Sequence, residues 1–350
     1  MKLTRGRTAH ARPTLILARP SLIIVLIVLV AAALIAATVY AGAGKRVDEP
    51  AYGSFPPARA QEVAANKYPP SSGSTKTGHY EEVGLPSGRS FIIHVPDSYQ
   101  PSHPLPVVLA LHGYKGNAAS MLLDTKLYEA DAFTVFSTGK GKAWAPAPYA
   151  RTSVDEDLAY IDAIVSYTRA VYATDGRFFA AGFSNGGGLI HVLACQRSAE
   201  FSGLAAISAA NYDAVNDDCK RGPIPYLDIH GTADVVMHYD GGSAHGKHYE
   251  SVAQDMEQIA KHNGCNPFPG RQRNGASSAN SVNSPIATGA VKKYRWHACD
   301  APTEHYEVVG GTHTWNGSLS DSRGLVPQKW ATSTVLDFFG IARSAPLQDT

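Results

Sequence analysis

The stretch Arg177–Ile190, RFFAAGFSNGGGLI, leaves a chain few ways to fold. Phe178-Phe179-Ala180-Ala181 has the length and content of a short buried strand. Gly182-Phe183-Ser184-Asn185-Gly186 fits G-x-S-x-G, and Leu189 to Ala194 continues as an apolar helical start. Strand, tight turn with serine at its apex, then helix is the context in which this pentapeptide presents a nucleophile. Side chains two residues either side of Ser184 would collide with the crossing chain, so glycine fits at 182 and 186. The following helix points N–H groups and the positive end of its dipole at any oxyanion formed there. A plain Gly-rich turn is the alternative, and both flanks argue against it.

The N-terminal region reads differently from the rest. Residues 1–21 carry Lys2, Arg5, Arg7, Arg12 and Arg19 with no acid, and Leu22 to Tyr40 is apolar throughout except for Thr38. That run approaches the roughly 20 residues a helix needs to cross a bilayer. Ala41-Gly42-Ala43 has the small-x-small form of a cleavage site, so a cleaved signal peptide is one reading. The length of the run favours the other, an uncleaved signal-anchor. Either puts residues 1–43 at or across a membrane, basic end in the cytoplasm, and everything after residue 44 outside. Residues 44–78 lack apolar periodicity and are expected to form a disordered linker. A folded domain is expected over 79–345, where the 350-residue chain has enough apolar content for one large core. The net charge of +1 gives no basic field for nucleic acid.

Within that domain, His79 to Val95 alternates around a turn at Pro86-Ser87-Gly88, an antiparallel hairpin. Leu105 to Leu111 reads as a strand covered on both faces. Further strands are expected at Phe133–Ser137, Gly203–Ala209, Ile224–His230 and Tyr306–Val309. Helices are expected at Asp155–Tyr172, Glu250–His262 and Gln328–Phe339. Asp155, Glu156 and Asp157 read as acids complementing the first helix's dipole. The alternation describes an α/β fold, a mostly parallel sheet with helices on both faces and an antiparallel N-terminal hairpin.

A serine nucleophile needs a base and an orienting acid, supplied in this architecture in the order Ser, Asp or Glu, then His. Of the 14 histidines, His313 lies in Gly310-Gly311-Thr312-His313-Thr314-Trp315, after the last strand and before the last helix. That placement makes it the candidate general base. Asp234, in the loop opened by Ile229-His230-Gly231-Thr232-Ala233, is the candidate acid. Asp228, inside a strand, and Asp240, farther along the loop, are its rivals. Trp144, Tyr149 and Trp315 sit in loops from which they can line an acyl pocket, and a satisfied core or rim position is the equal alternative for each.

Four cysteines in an exported domain suggest two disulfides, with three possible connectivities. Cys195–Cys219 and Cys265–Cys299 are the favoured pairs. No C-x-x-C exists, and His238, His245 and His248 lack acids at ligand spacing, so neither metal nor cofactor is expected.

The segments LALHGYKGNA, APYARTSVDEDLAYIDAIV, GFSNGGG, IHGTADVVMHYDGG and GGTHTWNG resemble the secreted feruloyl esterase and polyhydroxybutyrate depolymerase family of α/β-hydrolases, and most of all its fungal feruloyl esterases. The resemblance covers roughly residues 80–340. It implies an α/β-hydrolase with Ser184, Asp234 and His313 as catalytic triad. It also implies an oxyanion hole from the backbone N–H groups of Asn185 and Tyr114. One departure is Asn316, where the family usually has proline; it also creates the sequon Asn316-Gly317-Ser318. The expectation is a serine esterase, secreted or anchored as a type II membrane protein. Its expected substrates are hydroxycinnamate esters on plant polysaccharide or its oligosaccharides. Polyhydroxybutyrate depolymerase and acetylxylan esterase are the alternatives within the class. A non-catalytic binding protein on the hydrolase fold is the alternative outside it.

Overall fold

The run Leu105–Leu111 forms β3, and its side chains divide between two cores. Val107, Leu109 and Leu111 belong to one buried cluster, Val108 and Ala110 to another. A strand with both faces buried has helices on both sides, and the elements around β3 follow from that. The computed structural model describes residues 78–343 apart from 210, 217–218, 220–221, 266–281 and 287–288. The expected leader, membrane segment and linker therefore lie outside the described residues, apart from Gly78.

Among the described residues, ten strands make one sheet in the order β1-β2-β4-β3-β5-β6-β7-β12-β11-β10. The strands in chain order are β1 (His79–Gly84), β2 (Ser90–Val95), β3, β4 (Phe133–Ser137), β5 (Thr174–Phe183), β6 (Gly203–Ile207) and β7 (Tyr226–Gly231). Then come β8 (Gly242–Ala244) and β9 (Lys247–Tyr249), which form a separate two-stranded sheet, and β10 (Val282–Ile286), β11 (Gly289–Arg295) and β12 (Thr303–Val308). From β4 through β12 the neighbours run parallel, while β1–β2–β4 and β10–β11–β12 pair antiparallel. The hairpin expected at the start is β1–β2, and the sheet has the expected class.

Helices α1 (Ala118–Thr125) and α6 (Trp330–Phe339) cover one face. Helices α2 (Val154–Val171), α3 (Asn185–Gln196) and α5 (Val252–His262) cover the other, and a single turn, α4, spans Asp213–Asn216. Helix α2 starts where it does because Ser153 and Glu156 form a reciprocal capping box. Its Leu158, Ile161, Ile164 and Val165 are buried, each contributing roughly 1.5–3 kcal/mol. Helix α5 likewise starts two residues later than expected, at a Ser251–Gln254 box.

Both edges of the sequence expectation needed correction. The strand expected from Tyr306 begins at Thr303, because Glu304 and Glu307 are buried there by ion pairs instead of by apolar character. Glu304 meets Lys293 at 2.8 Å and Arg295 at 3.0 Å, and Glu307 meets Lys292 at 2.9 Å. The polar, charged β11 gave no strand signal for the same reason. The nucleophile strand also starts earlier, at Thr174, through residues that are mostly exposed. Both favoured disulfides are formed: Cys195–Cys219 ties the end of α3 to the chain ahead of β7, and Cys265–Cys299 ties the chain after α5 to that before β12.

Candidate active site

Strand β5 ends at Phe183 and α3 begins at Asn185, so Ser184 alone makes the turn. It does so at φ 54° and ψ −116°, a conformation costly for a residue with a Cβ and found where surroundings enforce it. The enforcement is visible in the glycines. A Cβ on Gly186 would overlap the Leu111 carbonyl and lie 2.7 Å from the His112 carbonyl oxygen, and one on Gly182 would overlap the Gly186 carbonyl. The turn is thus pressed against the C-terminal end of β3. The Ser184 backbone N–H donates to Ile207 O at 2.8 Å, tying it to β6.

Ser184 Oγ lies 2.8 Å from His313 Nε2 across a sequence separation of 129 residues. His313 Nδ1 lies 2.8 Å from Asp234 Oδ2. The hydroxyl donates to Nε2 and Nδ1–H donates to the carboxylate, which fixes the tautomer that leaves Nε2 free to take a proton. The loop carrying His313 is held by Ser208 Oγ–H donating to Thr314 O at 3.2 Å, and by Ala233 N–H donating to Gly311 O at 2.9 Å. Asp234 is 4% exposed. Its other oxygen accepts the Val236 and Met237 N–H groups, both at 2.8 Å. Burial pushes its pKa up, but His230, His313 and the Met237 amide outweigh that and hold the carboxyl well below the usual carboxylate range. His230 stands behind it, with Nε2 2.8 Å from Met237 O and 3.5 Å from Asp234 Oδ2.

The rival acids are elsewhere. Asp228 in β7 faces His305 in β12, and Asp240 is exposed on the surface.

Of the residues named for the oxyanion hole, Asn185 follows Ser184 directly and Tyr114 lies in the loop after β3, next to Gly113. Gly113 is so close that a Cβ on it would lie 3.2 Å from Ser184 Cβ, which puts Tyr114 beside the nucleophile. Neither the Tyr114 nor the Asn185 backbone N–H finds an acceptor among the described residues. Asn185 is the first residue of α3, where the dipole adds to its N–H. His112 is fixed just before. Its Nδ1–H donates to Gly113 O at 2.6 Å and its Nε2 accepts Gly139 N–H at 2.9 Å. Burial, with Arg89 and Lys142 nearby, pulls this imidazole down to about 4 against the opposing Gly113 carbonyl.

Two of the three aromatics expected to line a pocket do not. Trp144 is fully buried and Trp315 2% exposed. Each indole N–H is used internally, Trp144 on His112 O and Trp315 on Thr332 Oγ1, both at 2.9 Å. A tryptophan with its one donor satisfied inside is a wall behind the site, not a surface a ligand touches. Tyr149 is only partly buried, and its ring lies 4.0 Å from that of Tyr114, which is 41% exposed. His245, at the turn of the β8–β9 hairpin, packs edge-on to Tyr149 at 4.7 Å. Sequence reasoning named Tyr114 for its backbone alone and weighed His245 only as a metal ligand. A short hairpin of mostly polar, exposed residues carries no periodic signal to reveal it.

Asp155, Glu156 and Asp157 lie in the first turn of α2 as expected, but Asp157 does more than complement the dipole. Glu156 already completes the helix cap, and Asp157 is fully buried. The signal was present: Asp157 stands four and seven residues before Ile161 and Ile164, in register with the buried stripe.

The sheet and the Ser184–His313–Asp234 line together define a serine ester hydrolase of the α/β-hydrolase fold. The fold matches a solved acetyl xylan esterase from Aspergillus awamori with a TM-score of 0.52 at 15% identity, covering 75% of this chain and 99% of that one. No family model matches the chain. In sequence it is 31% identical over 226 residues to feruloyl esterase C of Emericella nidulans, covering 62% of this chain and 75% of that protein. A probable feruloyl esterase C of Aspergillus niger is 31% identical over 239 residues, covering 64% and 76%. The chain belongs to the feruloyl esterase C family.

Proposed function

We propose that Ser184 is the nucleophile of an exported feruloyl esterase. His313 takes the Ser184 proton as Oγ attacks the ester carbonyl, and Asp234 stabilises the imidazolium that forms. The carbonyl oxygen becomes an oxyanion held by the Tyr114 and Asn185 N–H groups. When the intermediate collapses, the C–O bond to the alcohol breaks and the alcohol leaves with the proton from His313. Water, deprotonated by the same imidazole, then releases the acid and restores Ser184. The observation that carries this reading is the unbroken 2.8 Å contacts from Ser184 Oγ to His313 and from His313 to Asp234, beside two N–H groups without acceptors among the described residues.

The substrate class is a hydroxycinnamate ester on plant polysaccharide or its oligosaccharides. It is supported by the names of the relatives and by the Tyr114–Tyr149 pair, where a planar acyl group gains stacking that an acetyl group lacks. The test is kcat/KM on methyl ferulate and methyl caffeate against matched acetate esters, with solid polyhydroxybutyrate as a third substrate. Preference for the aryl esters is expected. Preference for acetate, or clearing of the polyester without ferulate release, overturns the substrate class.

Export is proposed on the basic leader, the run Leu22–Tyr40 and the two disulfides, which persist in oxidising compartments. The domain over 79–345 then stands outside the cell on the linker 44–78. N-terminal sequencing of protein from its host distinguishes cleavage near Ala43 from an intact anchor. Recovery of the folded domain from the cytosol contradicts both.

A further inference from the structure

Asp157 is a carboxylate with no exposure, in a helix whose cap it does not serve. A buried charge needs full pairing, and it has three donors: Arg89 Nη1 at 2.7 Å, Ala145 N–H at 2.8 Å and Thr152 Oγ1–H at 2.8 Å. The Arg89 guanidinium is itself held over the Tyr160 ring at 3.5 Å. The bond to Ala145 anchors a loop segment that reaches both halves of the oxyanion hole. At Trp144, the backbone N–H donates to Asn185 Oδ1 at 2.7 Å and the carbonyl accepts from Asn185 Nδ2 at 2.9 Å. The Trp144 indole N–H donates to His112 O at 2.9 Å. Earlier in the segment, Gly139 N–H donates to His112 Nε2, and Lys142 O accepts Lys115 N–H at 2.9 Å. Residues 139–145 thus bridge the loop after β3, which carries the Tyr114 N–H, and the start of α3, which carries that of Asn185.

We propose that Asp157 is a positioning residue for the oxyanion hole: through Ala145 and Trp144 its carboxylate sets the spacing between the Tyr114 and Asn185 N–H groups. It touches no reacting atom. The inference rests on the reading of those two amides as the oxyanion donors. Preorganised donors act on the transition state more than on the ground state, so losing the anchor lowers kcat and leaves KM nearly alone.

The experiment uses the full-length chain with Asp157→Ala, Asp157→Asn, Trp144→Phe and Ser184→Ala. Each is measured for kcat and KM on methyl ferulate, for inhibition by phenylboronic acid as a tetrahedral adduct, and for melting temperature. Asp157→Ala is expected to lose about ten- to a hundredfold in kcat, the scale of a small misplacement at a reacting centre, with KM within about twofold. Its boronate affinity falls in parallel. Asp157→Asn, which keeps an acceptor for Ala145, recovers most of the rate. Trp144→Phe, which keeps the bulk and removes only the indole donor, moves the same way by less. Wild-type kcat and boronate affinity in a folded Asp157→Ala overturn the inference, as does a rise in KM with boronate binding unchanged. If Asp157→Ala does not fold, Trp144→Phe decides, and wild-type values there overturn it. Near-wild-type turnover in Ser184→Ala overturns instead the nucleophile assignment beside which those amides are read as oxyanion donors, and is seen separately.

Discussion

Asp228 and His305 form a second carboxylate–imidazole pair, 2.7 Å apart on adjacent parallel strands and directly opposite in register. It resembles the Asp234–His313 pair in chemistry and differs in where it ends. His305 Nε2 meets the Tyr239 hydroxyl at 2.7 Å, whereas His313 Nε2 meets Ser184. Asp234→Asn is therefore expected to lower kcat by roughly three to four orders of magnitude, through loss of the correct tautomer. Asp228→Asn is expected to lower stability by about 1–3 kcal/mol, as for a weakened buried hydrogen bond, with far less effect on kcat. Ser184→Ala should abolish turnover and leave the melting temperature near wild type. The reverse order for the two aspartates would show that the acid has been misassigned.

His112 gives a pH dependence of stability. Its folded-state pKa of about 4 lies below the ordinary value of 6.5, so between those values the unfolded chain binds a proton that the native state refuses. Stability from this group is complete above pH 6.5 and is lost as the pH falls toward 4, by about 3 kcal/mol in all. Melting curves of the wild type and of His112→Asn over pH 4–7 measure it. The variant should start less stable and show a shallower slope; equal slopes would remove His112 as the cause.

Gly186→Ala introduces a methyl group onto the Leu111 and His112 carbonyls. A loss of at least about 1–3 kcal/mol is expected from overpacking, together with a fall in kcat as the serine turn moves. Gly246→Ala is a useful comparison. Nothing lies within 4 Å of the added atom there, but the positive φ of 77° is strained for alanine. It should cost stability without touching kcat. Equal kinetic effects would mean that the elbow is not the sensitive element.

Tyr149→Ala removes the ring that lies against Tyr114. The expected result is a roughly two- to tenfold fall in kcat/KM for methyl ferulate, the worth of one aromatic contact. Rates on a small acetate ester should be unchanged. A uniform loss on both esters would place Tyr149 in support of the loop and not against the acyl group.

What was legible in the sequence is the part encoded by local pattern. Ser184 stood between a strand and a helix, His313 and Asp234 at glycine-bearing strand ends, and β3 in an unbroken apolar run. Trp144 and Trp315 are core residues, the alternative that loop position leaves open, because burial of a loop ring depends on partners far away in the chain. The burial of Asp157 was not legible because a carboxylate near a helix start has an obvious local explanation. The Arg89 that neutralises it lies 68 residues earlier. The strand β11 was unreadable for a related reason: its partly exposed lysines and exposed arginine pair with buried glutamates of β12, and a run of charge carries no apolar alternation.

The side chain of Asn316 is 1% exposed, yet it begins an acceptor sequence for N-linked glycan. In the finished molecule no transferase reaches it. Only a chain still emerging and not yet closed around residue 316 is open to the sugar, so glycosylation and folding compete in time. A glycan that wins the race occupies the space into which the Trp315–Gly317 turn must pack. Production in a host whose secretory pathway attaches N-glycans therefore sorts the product into a folded, unmodified fraction and a modified fraction barred from closing the loop beside His313. A host without that machinery gives one population, and Asn316→Gln removes the fork altogether.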